Sequence, residues 1–254
     1  MTDAVRLDIE SRQQLLFDRL ADRYEAHYDD ATSRWYRDWF IHPPLFSGVP
    51  LSGRRVLDAM CGSGETTRYL LRQGARVEGL DVSAECIERY RRRWPGCPGH
   101  AVSILSSGLP DASYDVVVTV GGLHHVHPHI DEAVAEIHRL LKPGGIFCFL
   151  EPHAGSLPDV LRRVWYRRDG LFEDNERAVD IEALMDAHRK RFEFLRLRHL
   201  GSLAYLLVLN SMIFRVPVWL KPLYAPLALG VEFLLDPLLT RRLSCIAIAQ
   251  WRKR

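Results

Sequence analysis

Several features that mark secreted, membrane-spanning or nucleic-acid-binding chains are missing from this sequence. Its five cysteines (Cys61, Cys86, Cys97, Cys148, Cys245) are odd in number, scattered, and include no C-x-x-C pair. A disulfide framework or a cysteine zinc site is therefore not expected, and a reducing compartment fits better. Neither sign of charge dominates: the formal net charge is +2, so no bulk attraction to nucleic acid or to an acidic partner is expected. The N-terminal stretch MTDAVRLDIESRQQLLFDRL is charged and amphipathic and lacks the apolar centre of a signal peptide. A cytoplasmic location is the expectation. Long apolar runs are scarce too. In the greasiest region the longest charge-free run, Leu200 to Phe214, has 15 residues and contains Asn210, short of the roughly 18 that a membrane span needs.

What the chain does have is the composition of an ordinary globular protein, 254 residues with 47% hydrophobic and 26% charged. Short β-branched runs alternate with helix-period stretches. RRVLDAM precedes SGETTRYLLRQG, which stops on Gly74; ARVEGLD precedes SAECIERYRRR, with Ser83 placed as N-cap. GHAVSI and YDVVVTV follow, then DEAVAEIHRLL, broken by KPGG before GIFCFLEP. Strand alternating with helix means parallel pairing with helices on both faces, hence near-continuous apolar strands such as Val116–Val118. The expected fold class is α/β, a doubly wound sheet. RFEFLRLRHLG and LSCIAIAQWRK read as sixth and seventh strands. Between them Ser202 to Thr240 carries only four charged residues (Arg215, Lys221, Glu232, Asp236) and four prolines (Pro217, Pro222, Pro226, Pro237). It reads as an apolar insertion of short helices.

In doubly wound sheets ligands bind beyond the carboxyl ends of the strands. The first strand empties into VLDAMCGSGETT, where Gly62 and Gly64 bracket Ser63 and a helix is expected to open at Glu65. A dinucleotide fingerprint wants a third glycine, and here Thr67 stands in its place. Glu65 and Asp58 add negative charge where a pyrophosphate would sit. A ligand carrying positive charge fits better.

With these residues in view, the chain resembles the class I S-adenosylmethionine-dependent methyltransferases over roughly Val56 to Glu151. LDAMCGSGETT is similar to the family's first motif, VEGLDVS to its second, and LPDASYDVVVTVGGLHHV to the fourth-strand region of its quinone-biosynthesis and natural-product subgroup; LLKPGG completes the order. The resemblance implies S-adenosylmethionine as cofactor and a Rossmann-like sheet of seven strands. The last strand would run antiparallel, inserted between the fifth and sixth. Asp58 would help hold the amino group of the methionine moiety, Asp81 the ribose hydroxyls, and Ser103 and Ile104 the adenine, with Ala59, Gly62, Gly64, Val82, Gly121, Leu123 and Tyr28 also at the cofactor. Tyr24 and Tyr28 of the N-terminal helices are candidates to line the pocket. Where family members often place an acidic residue for the adenine amino group, this chain has AVSILSSGLP. Residues 1–50 would form a helical cap and 51–254 the cofactor-binding domain, with 202–240 inserted in it.

Methyl transfer aligns a nucleophile in line with the methyl group and excludes water, and histidine is suited to take the proton. GGLHHVHPH places His124, His125, His127 and His129 after the fourth strand, and EPH places Glu151 and His153 after the fifth. His124, His153 and Glu151 are the expected catalytic residues; His125 is read as a structural hydrogen-bonder and His127 and His129 as loop residues. No metal site is expected, since adjacent histidines on a turn point apart. The basic run Arg89 to Gly96 reads as a solvated helix end. The insertion has three open readings: a lid over a lipophilic substrate, placed first, a homodimer surface, or a membrane-facing element.

Overall fold

Strands and helices assemble around one seven-stranded sheet in the computed structural model, which describes residues 22–166 and 177–254. The amphipathic N-terminal stretch lies, up to residue 21, outside the described residues. The strands are β1 (Arg55–Ala59), β2 (Arg76–Asp81), β3 (Gly99–Ala101), β4 (Tyr114–Val120), β5 (Leu141–Pro152), β6 (Phe192–Leu200) and β7 (Ile246–Lys253). Their order is β3-β2-β1-β4-β5-β7-β6. The first five pair in parallel, and β7 lies antiparallel between β5 and β6. Strand order reverses between β1 and β4, which fixes the crevice where a ligand can sit.

Successive strand residues supply two apolar layers. Val56, Val116 and Val118 face one; Leu57, Ala59 and Val117 face the other. Both faces are covered, so the strands are apolar on both sides. One layer is covered by α6 (Ile130–Leu140) and α8 (Ile181–His188). The other is covered by α4 (Thr67–Arg72), α5 (Ala84–Arg93), the insertion and an N-terminal cap. That cap comprises α1 (residues 22–28), α2 (Ala31–Tyr36), a π-helical turn (Arg37–Ile41) and α3 (His42–Leu45). Ser83 caps α5 as expected, accepting from the Cys86 N–H. KPGG does not simply precede a strand. Pairing slips from Tyr114↔Leu141 to Val116↔Ile146, so residues 142–145 bulge within β5, with Gly144 at φ +73°.

The insertion departs from the expectation of short helices. After α7 (Leu157–Tyr166) and α8, a π-helical turn (Tyr205–Leu209) leads to α9 (Lys221–Leu235), and helical turns at both ends extend it to 21 residues, Val218–Leu238. By length and composition alone this helix could cross a membrane. Pro222 sits in its first turn, where its missing N–H costs nothing, and Pro226 forfeits one bond within the helix. Two of the insertion's four charges are buried on the inner face of α9. Glu232 accepts from Tyr36 Oη (3.1 Å), Ser202 N (2.8 Å), Ser202 Oγ (2.6 Å) and Ala204 N (2.9 Å). Lys221 Nζ donates to His27 O (2.7 Å), Ser33 Oγ (2.7 Å) and Asp30. Tyr28 and His27 add bonds to Asn210 and Ser211, both at 3.0 Å. The insertion therefore clamps the cap.

Removing one partner of a buried, fully bonded charge leaves the others unsatisfied. Lys221→Met is expected to lower the unfolding free energy by about 2–4 kcal/mol, the lower end reflecting the partial exposure of Asp30. Urea denaturation measures it, and a change below about 1 kcal/mol would refute the clamp.

Candidate active site

The first βα turn shows why the local sequence folds as it does. Asp58 ends its run on β1 buried at 2% exposure, its Oδ2 accepting from Thr67 Oγ1 at 2.7 Å. The chain then leaves the strand through positive φ at Met60 (57°) and Gly62 (54°). The Gly62 N–H donates to Asp81 Oδ2 at 2.9 Å, and the Ser83 N–H to Asp81 Oδ1 at 2.9 Å, so Asp81 at the tip of β2 pins both turns. The helix starts at Thr67 rather than Glu65, and the intervening residues form turns.

These tips surround a cleft of about 1290 Å³, the open solvent at its mouth included. Of the residues expected at the cofactor, Asp58, Gly62, Asp81, Val82, Ser103, Ile104 and Gly121 line it together. Four do not. Ala59 and Leu123 are fully buried in the layer behind the sheet. Tyr28 points its hydroxyl away to Asn210, while Tyr24, stacked on it at 4.1 Å, faces the cleft instead. Gly64 sits at φ +88° beneath Trp94, whose Nε1 would lie 2.4 Å from an added Cβ. That glycine serves helix packing, not ligand approach.

Of the expected catalytic residues, Glu151 and His124 bond each other, and His153 lies apart. Glu151 is fully buried behind the cleft and accepts from the N–H groups of Gly122 (2.9 Å), Leu123 (2.7 Å) and His124 (3.3 Å). Its Oε2 also lies 2.8 Å from His124 Nδ1. Burial pushes its pKa up to about 7. Glu151 thus holds the loop after β4 and cannot reach a substrate, and His124 is engaged with it. His153 is buried against Ser244, with Nε2 at 2.9 Å from Oγ, because the chain turns away from the cleft after β5. The histidines that line the cleft are His125 and His129. His129 Nδ1 is 2.7 Å from Glu132 Oε1, one turn into α6.

Further lining residues come from distant chain segments. Tyr24, Glu25 and Arg37 descend from the cap, and Arg89 from α5. Arg89 is no solvated helix residue. It bonds Asp22 (2.6 Å), Glu25 (3.4 Å) and Glu85 (2.8 Å), while Arg93 pairs with Asp29. No residue of 202–240 is among those lining the cleft; the insertion packs on the cap, which does contribute lining residues. Only the charge pattern of α5 could have hinted at this, since arginines at i and i+4 share one helix face.

The charge of the cleft tests its fit to a sulfonium nucleoside. Asp58, Glu65 and Asp81 all line it. Burial first, then the neighbouring carboxylates, push Asp58 up to about 7 and raise Asp81 from its ordinary value. Carboxylates crowded in this way are waiting for a cation. A ligand with an ammonium and a sulfonium suits them, and a pyrophosphate does not.

The linkage has a definite sign. A carboxyl group whose folded pKa is raised contributes its stability below its unfolded pKa and loses it as pH climbs through the folded value. For Asp58 that loss runs from 3.8 to about 7. A bound cation restores ionisation, so S-adenosylmethionine is expected to release protons on binding and to bind more tightly as pH rises from about 6 to 8. Calorimetry in buffers of differing ionisation heat measures both; affinity flat across that range would refute the coupling.

Fold and site together define a class I methyltransferase architecture: a sheet with β7 antiparallel between β5 and β6, and an acidic cleft at the tips of β1, β2 and β4. Residues 56–145 match the family described as methyltransferase domain. Over that stretch the chain is similar to methyltransferase domains, and its fold is that of S-adenosylmethionine-dependent methyltransferases. It is similar to an uncharacterized methyltransferase of Synechocystis, 37% identical over 120 residues, covering 46% of this chain and 56% of that protein. A demethylmenaquinone methyltransferase of Symbiobacterium thermophilum is 32% identical over 149 residues, covering 54% of this chain and 57% of the relative. The chain thus spans about half the length of the curated relatives it matches. Among solved structures, an S-adenosylmethionine-dependent methyltransferase of Thermotoga maritima superposes with a TM-score of 0.62 at 18% identity, covering 94% of this chain and 99% of that one. At that identity the likeness is one of fold.

Proposed function

We propose that the protein transfers the methyl group of S-adenosylmethionine to a small lipophilic acceptor. The observation that carries this reading is the cleft itself. Three carboxylates line one end, while Met60, Leu105, Val120 and Val126 supply apolar walls toward β4 and the loop after β3. A relative named for demethylmenaquinone supports a quinone-like or similar acceptor.

S-adenosylmethionine, when bound, would supply an electrophilic methyl group to the acceptor. Asp81 would hold the ribose hydroxyls through the lone pairs not used by the Gly62 and Ser83 N–H groups. Asp58 and Glu65 face the cationic end. Arg37, buried and in the cleft, is placed to hold the cofactor carboxylate. His125 and His129 are the groups able to accept the acceptor's proton, and Glu132 keeps the His129 ring oriented. The cap excludes water. Incubation with methyl-labelled cofactor and a panel of quinols, phenols and isoprenoids should show label in an organic-soluble product and one S-adenosylhomocysteine formed per transfer. Acceptor conversion without S-adenosylhomocysteine would overturn the reading in favour of a non-methylating enzyme.

A further inference from the structure

Helix α9 is amphipathic in reverse. Its charged side chains Lys221 and Glu232 point inward beside Ala225, Ala228 and Leu229, bonded to the cap and to Ser202 and Ala204, while its bulkiest apolar side chains point out. Trp219, Leu223, Leu227, Phe233, Leu234 and Leu238 are each between 69% and 76% exposed. Asp236, the remaining charge within the helix, is paired with Arg198. Between exposed Arg215 at one end and exposed Arg241 and Arg242 at the other, no charged side chain is exposed. This leaves a rod about 30 Å long, one whole side of it hydrocarbon. On α2 and the π-helical turn packed nearby, Trp35 and Trp39 stack at 6.4 Å and are 46% and 61% exposed.

We propose that the outer face of α9 seats in the headgroup region of an anionic lipid bilayer, lying along the surface. The helix is long enough to span, but its inner face is committed to the cap by two buried charges, and withdrawing those into lipid would strip them of their partners. Lying flat keeps those bonds and buries only the outer side. Exposed Trp219 at the start of this helix matches the preference of indole for the boundary between hydrocarbon and headgroup. Arg215 at one end and Arg242 at the other match anionic phosphates, while Arg241 is paired with Glu182. The same charges disfavour a second copy: pairing two α9 helices, parallel or antiparallel, sets arginine ends against arginine ends with no exposed acid on the helix to meet them. The surface is distinct from the cleft and does not depend on which acceptor is methylated. It does join the two, since Lys221 ties the docking helix to the cap over the cofactor, bringing a lipid-dissolved acceptor to the enzyme.

The full chain should co-sediment with vesicles of phosphatidylglycerol and phosphatidylcholine in equal parts, and more weakly with phosphatidylcholine alone. Leu223→Glu/Leu227→Glu is expected to lower the partition coefficient about a hundredfold, and Arg242→Gln about fivefold on the anionic vesicles only. Neither change touches the cleft, so S-adenosylhomocysteine affinity by calorimetry should be unaltered and certifies the fold. Failure to sediment with either vesicle, or sedimentation indifferent to the double substitution, would overturn the proposal. A dimer in solution that the double substitution dissolves, without vesicle binding, would assign the face to a second copy instead.

Discussion

Asp81→Ala is expected to weaken S-adenosylhomocysteine binding about 30- to 150-fold, the equivalent of ~2–3 kcal/mol for paired hydrogen bonds to a carboxylate. Asp81 cannot swing aside, because each oxygen is already fixed by one backbone N–H, from Gly62 and from Ser83. Its remaining lone pairs are therefore fixed on the cleft side before any ligand arrives, and little ordering cost is left to offset the gain. The alanine variant also frees the Gly62 N–H, loosening the turn beneath the methionine end, so the loss should exceed that of a single contact. The released Gly62 N–H borders the open cleft and can bond water, whereas Ser83 is fully buried, so the melting temperature should fall modestly while the variant stays folded. Calorimetric titration of folded variant and parent measures the effect. An unchanged dissociation constant in a folded variant would remove Asp81 from the cofactor site.

Glu151→Ala should be the most destabilising change at the site, by about 3–5 kcal/mol. Three backbone N–H groups and the His124 ring converge on one fully buried carboxylate. Without it the loop after β4 has donors and no acceptor. Glu151→Gln keeps one carbonyl oxygen and should lose roughly half as much, since its amide must face a donor. The pH dependence carries a further signature. With the Glu151 pKa raised from 4.5 to about 7, the parent loses stability as pH climbs across that interval, and the glutamine variant should lack that part of the slope. Urea denaturation across the range measures both quantities. A glutamine variant with the full slope, or an alanine variant within about 1 kcal/mol of the parent, would show that the loop is held by other means.

The parts of the site that were legible in the sequence are those made by neighbours in the chain. The turn from Asp58 to Gly62 and the tip of β2 at Asp81 and Val82 are local strand-end geometry, and the alternation of strands with helices placed both tips at one edge. Ser103, Ile104 and Gly121 were implied by the family resemblance, and each lies just beyond a strand and lines the cleft. Residue type does not decide between two carriers of the same chemistry that lie close together. Tyr28 and Tyr24, or His124 and His125, differ only in which way a helix or turn aims them. Histidines were read as bases at His124 and His153, yet burial and a bonded partner decide whether an imidazole faces substrate, and both were taken by structural partners.

The sequence by itself determined the order and type of the strands, the acidic character of the cofactor crevice, and the presence of an uncharged insertion, because these rest on periodicity, turn chemistry and composition. Only the tertiary structure decided that Glu151 is a brace, that Arg37 and Arg89 reach the cleft from outside the motifs, and that α9 turns its charges inward and its leucines out. Those facts are set by contacts between segments far apart in the chain, such as Lys221 with His27 and Glu232 with Tyr36. Local pattern reports how a helix would face water; packing determines what it faces instead.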